Sequence, residues 1–136
     1  MTPIRVAFRL SMILAVGASA PPLAAQQLCS PNALFGAGNK MGMALADIYR
    51  SPTDNARPSY LREAQSKLMS AKASLKRAGV TKQDRAIDSA ISAVASFAAK
   101  VGPGNLITPA SAGALAKDVE RALGPVRSEV GRVCPK

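Results

Sequence analysis

The sequence predicts an all-α fold, an up-down-up-down four-helix bundle closed by one disulfide between the ends of the exported chain. Three observations carry that expectation. Apolar residues recur at spacings of three and four in four separate segments, which is the period of a helix face. No stretch alternates with period two and β-branched enrichment, so no sheet is expected. The two cysteines, Cys29 and Cys134, lie near opposite ends of the chain that remains after export. Chain ends meet without a long return when the passes between them are even in number, and short connections between four helices give that count.

The first segment is a leader. Arg5 and Arg9 form a positive region, followed by an apolar run from Leu10 to Ala20 that is too short to span a bilayer. Pro21 disfavours cleavage after Ala20, so the expected cut follows Ala25. This divides the chain into a signal peptide over 1–25 and a four-helix domain over 26–136.

Helix one is expected over 31–50. Ser30 before Pro31 pairs an N-cap residue with the proline tolerated at the first helical position, and Leu34, Gly38, Met41, Leu45 and Ile48 form the stripe. Ser51-Pro52-Thr53-Asp54-Asn55 is turn chemistry. Helix two is expected over 58–79, with Leu61, Ala64, Leu68, Ala71, Leu75 and Ala78 on one face and Gly79 as its stop. Thr81 with Asp84 resembles a capping box for a third helix over 82–101, carrying Ile87, Ile91, Val94, Ala98 and Val101 before Gly102-Pro103. Thr108-Pro109 opens the fourth, over 109–133, with Ala112, Leu115, Val119, Ala122, Val126, Val130 and Val133. Gly124-Pro125 predicts a kink or break there, because proline removes a backbone donor and clashes with the carbonyl four residues back.

Export makes Cys29 and Cys134 a structural disulfide, since neither belongs to a CxxC pair. Closing a loop of about 100 residues contributes roughly 4–5 kcal/mol in the chain-entropy treatment. With Ala and Gly at many core positions the core is thin, and the bridge matters accordingly.

Composition excludes more function than it suggests. The 136 residues are 48% hydrophobic and contain no His, which removes the commonest general base, proton shuttle and metal ligand. Serine and threonine nucleophiles lack that base, and no enzyme is expected. Basic residues outnumber acidic ones 18 to 8. Without the leader the balance is +8, and residues 57–85 alone hold Arg57, Arg62, Lys67, Lys72, Lys76, Arg77, Lys82 and Arg85 against Glu63 and Asp84. Such a concentration attracts polyanions. Nucleic acid is the least suitable of these, since Tyr60 is the one aromatic among the cations.

Other motifs support packing better than chemistry. Gly36-Ala37-Gly38-Asn39-Lys40-Met41-Gly42 lacks the preceding strand of a dinucleotide loop, and the small residues 38, 42 and 46 share a helix face that predicts close helix approach. Met41 and Met43 point apart on a helix, which disfavours a thioether copper site. Asp84 and Asp88 share a face but have no second carboxylate pair, so no metal site is expected.

One pattern spans the two ends of the chain: Cys29 before the first helix, Asp47-Ile48-Tyr49 followed by Ser51-Pro52-Thr53-Asp54-Asn55, and Pro125 followed by Arg132-Val133-Cys134. In this it resembles the secreted haemophore-type haem carriers, although the family's histidine before the proline is replaced by Ser51 and the spacing between cysteines is longer. The resemblance implies haem as ligand, Tyr49 as its phenolate iron ligand, and Arg50 or Arg57 paired with the propionates.

The leading expectation is a periplasmic or secreted, non-catalytic binding module with no resident cofactor. Its basic helix surface, centred on Arg62, Lys72, Lys76 and Arg77, meets an envelope lipid, an anionic polymer or an acidic protein. The alternatives are a carrier of haem or a similar flat apolar ligand, and a structural subunit of an envelope complex. No transmembrane segment is expected after signal cleavage.

Overall fold

A computed structural model describes residue 29 and residues 36–52, 57–101 and 106–134. The expected signal peptide over 1–25, the expected Ser30-Pro31 helix start, and residues 53–56 and 102–105 lie outside the described residues. Among the described residues four helices form the fold: α1 (Ala37–Arg50), α2 (Arg57–Arg77), α3 (Asp84–Lys100) and α4 (Pro109–Val133). They pack as a ring in which α1 meets α2, α2 meets α3, α3 meets α4 and α4 returns to α1. Cys29 and Cys134 are bonded across a separation of 105 residues, with Cα atoms 5.4 Å apart. The result is a four-helix bundle with its ends linked.

Local chemistry sets each boundary. Gly36 is extended (φ −73°, ψ 127°) and has no capping side chain, so α1 starts at Ala37, six residues after the expected Pro31. The helix ends where Ser51 N–H and Oγ both turn back to the Ile48 carbonyl, at 3.1 and 2.6 Å. The exit of α2 is a Schellman turn: Val80 N–H donates to the Leu75 carbonyl at 2.8 Å and Gly79 N–H to that of Lys76 at 3.0 Å. Gly79 takes φ +76°, a conformation that a side chain would strain. Val80 then packs on the core to which Leu75 belongs.

That tight exit shifts the start of α3. Thr81 does not cap it; Gln83 is the N-cap, without a side-chain hydrogen bond, and Asp84 falls in the first turn. A carboxylate there still opposes the positive end of the helix dipole. In α4, Thr108 Oγ1 accepts from Ser111 N–H while Ser111 Oγ accepts from Thr108 N–H, both at 3.0 Å, a reciprocal capping box. The helix runs unbroken through Gly124-Pro125. The flanking residues Leu123 and Val126 are both buried, which anchors the segment on either side of the missing donor.

Met41, Ile48, Leu61, Leu68, Ile87, Val94, Val119, Leu123 and Val126 are the large fully buried apolar side chains, and Ala37, Ala44, Ala64, Ala71, Ala90, Ala112 and Ala116 fill the spaces between them. Burial of an alanine at so many contacts lets helix axes approach and leaves little apolar volume per layer. The glycine face of α1 is not one of these contacts. Gly38, Gly42 and Ala46 are exposed, and a methyl group added at either glycine would meet nothing within 4 Å. The reason is angular: Ala37, Met41, Ala44, Leu45 and Ile48 already occupy the inward arc, and residues 38, 42 and 46 fall outside it.

Candidate anion-binding surface

Basic residues on α2 divide between its two flanks. On the flank facing α1, Asp47 is only 2% exposed and pairs with Lys67 Nζ, which also stands 4.0 Å from Glu63. About two turns of α1 further along the seam, Lys40 Nζ donates to Ser70 Oγ at 2.8 Å and to Ser74 Oγ at 3.3 Å. Arg77 Nη2 also donates to Ser74 Oγ, at 3.3 Å. This seam runs Lys40 against Ser74 and Asp47 against Lys67, so α1 and α2 are antiparallel. Its polar groups satisfy one another, which a half-buried polar strip requires.

The other flank faces α3 and is open. Gln65, Met69, Lys72, Ala73 and Lys76 of α2, with Asp88 and Ile91 of α3, line a groove of about 430 Å³. Its floor is apolar: Ile91 packs on the core, and Met69 is 54% exposed. Lys72 Nζ donates to Asp88 Oδ1 at 2.7 Å. That hydrogen bond, reinforced by the charges of Asp88 and Asp84 and opposed by partial desolvation, raises the Lys72 pKa above the ordinary lysine value. Lys76 has no ion pair among the described residues. Arg62 is exposed one turn beyond Gln65 on the same flank.

The four cations singled out in the sequence are therefore not one cluster. Lys72 and Lys76 line the α2–α3 groove and Arg62 extends the same flank, whereas Arg77 turns to the α1 seam. Tyr49, the haem-ligand candidate, is 56% exposed one residue before the end of α1, and Arg50 beside it is also exposed. The Arg57 side chain and the segment 53–56 lie outside what the structure describes. Met41 is in the core and Met43 faces outward.

Two participants escaped sequence reasoning. Met69 lies off the α2 stripe, between Leu68 and Ser70, and an apolar residue on a charged face was the available signal. Asp47 had a similar one, being an acid beside the stripe residue Ile48 and followed by a strongly basic helix.

The second groove, on the outer face of α3, is lined by Arg85, Asp88, Ser89, Ser92, Ala93 and Ser96, and a third between α3 and α4 includes Phe97, Leu115, Lys100 and Asp118. No group of three potential His, Cys, Asp or Glu metal ligands occurs among the described residues. No described helix is long and apolar enough to cross a membrane. Comparison with family models, curated proteins and solved structures finds no match to this chain.

Proposed function

We propose that this protein is an exported, non-catalytic binding module whose α2–α3 flank meets an anionic partner. One observation carries the reading: Arg62, Lys72 and Lys76 share a flank with an exposed methionine, and Arg62 and Lys76 have no ion pair among the described residues. A face that only kept the protein soluble would gain nothing from an open apolar floor between its cations. The disulfide supports a location outside the reducing cytosol.

The test uses the processed, oxidised protein with vesicles containing anionic phospholipid and with polyglutamate. Each cation near an anionic surface contributes about 1 kcal/mol, so joint reversal of Arg62, Lys72 and Lys76 to Glu is expected to weaken binding by more than about a hundredfold. Raising salt reproduces part of that loss, and Arg77→Glu alone has the smaller effect. Failure to bind either probe, or binding indifferent to salt and to the triple reversal, overturns the reading.

A further inference from the structure

The α2–α3 groove is polarised along its length. Lys76, Ala73 and the Lys72–Asp88 pair stand toward the α2–α3 turn, Met69 and Ile91 make the middle, and Gln65 lies at the other end. From Lys76 to Gln65 the helix rises about 16 Å. At that end the groove's charged lining is Lys72 and Lys76 against Asp88 alone. A cationic end followed by an apolar track is complementary to one kind of molecule.

We propose that this groove binds a single-chain anionic amphiphile, with its headgroup at Lys76 and Lys72 and its hydrocarbon chain along Met69 and Ile91 toward Gln65. The proposal rests on the anion-binding reading of this flank and goes further by naming the ligand class. Size decides among occupants. The groove's volume of about 430 Å³ is that of a small-ligand site, whereas a docked acidic helix needs a longer apolar track with several anchors at helical spacing. A uniformly charged polymer makes no use of the apolar middle, and a flat bilayer does not enter a concave groove.

Asp88 limits the present affinity, because it competes with any anion for Lys72 across 2.7 Å. This gives the test a gain as well as losses. Calorimetric titration with dodecyl phosphate below its micelle concentration is expected to show saturable one-to-one binding. Asp88→Asn, which frees Lys72, strengthens it by about threefold to tenfold, while Lys76→Gln and Met69→Asn each weaken it by about tenfold. Inorganic phosphate and dodecyl maltoside, carrying the head charge alone and the chain alone, bind at least about tenfold more weakly. Met69, Lys76 and Asp88 are exposed, and cooperative urea transitions confirm that the variants fold. Absence of saturable dodecyl phosphate binding overturns the proposal. So does binding that dodecyl maltoside equals, or that neither Lys76→Gln nor Met69→Asn alters. If vesicles or polyglutamate still bind in a salt-dependent way while dodecyl phosphate does not, the groove ligand is wrong and the anion-binding surface stands.

Discussion

Asp47 carries a carboxylate into the α1–α2 interface, where Lys67 holds it. Removing Lys67 leaves that charge buried without its partner, the costly half of breaking an ion pair. Lys67→Met is expected to lose about 2–3 kcal/mol in urea denaturation, below the roughly 3–5 kcal/mol of a fully buried pair because the ammonium keeps contact with water. Replacing both residues, as Asp47→Leu with Lys67→Met, restores most of the loss, and a double mutant as unstable as the single one argues against this account. Glu129 tests pH dependence. A hydrogen bond from Arg132 depresses its carboxyl pKa below the ordinary 4.5, with a further contribution from the charge of Lys82. A depressed carboxylate stabilises the fold above its unfolded pKa, and that contribution disappears as pH falls through the folded value. Thermal midpoints of the wild type and Glu129→Gln should therefore differ near neutrality and converge on acidification. Lys72 has the opposite sense: its raised pKa contributes fully below 10.5 and is lost as pH climbs through the folded value.

At the scale of the element, two helices carry residues that work against them. Pro125 interrupts the hydrogen-bond ladder of α4 at an exposed position, and the helix persists because packing of Leu123 and Val126 outweighs the defect. Pro125→Ala is expected to raise stability by up to about 3 kcal/mol, read as an increased urea midpoint. Gly42 is exposed within α1 with free space around it, so Gly42→Ala should add about 1 kcal/mol. A destabilising Gly42→Ala would restore the close-approach role that the exposed face contradicts. Most of the α2 stripe was legible: Leu61, Ala64, Leu68, Ala71 and Leu75 are buried, and Ala78, one residue past the helix end, is half-buried against the same core. The α1 stripe was less so, since Gly38 matched the period and yet faces water. Period alone does not distinguish the centre of an apolar arc from its edge, and small residues fit both.

For the whole molecule, the bridge between Cys29 and Cys134 restrains a chain whose interior relies on alanine. Cys29→Ser with Cys134→Ser is expected to cost about 4–5 kcal/mol, measured as the difference in unfolding free energy from urea titration. A loss under about 1 kcal/mol would mean that the unfolded chain is already compact enough to hold its ends together. The ring of contacts from α1 through α4 and back explains how the bridge is compatible with the fold: the last helix packs on the first, and the cysteines flank that closure.

Helix content, the α2 core stripe and the capping of α4 were decided by residue spacing and by turn chemistry, because these act between neighbours within a few positions. The same holds for the excess of cations on α2, which is a property of composition. Which of those cations share a flank was decided only by the packed bundle. Arg77 and Lys76 are adjacent in sequence, yet one turns to the α1 seam and the other to the α3 groove, because a helix rotates about 100° per residue and its neighbours determine what each direction meets. The open apolar floor at Met69 and Ile91, and the buried charge at Asp47, belong to two helices at once and exist only where those helices touch.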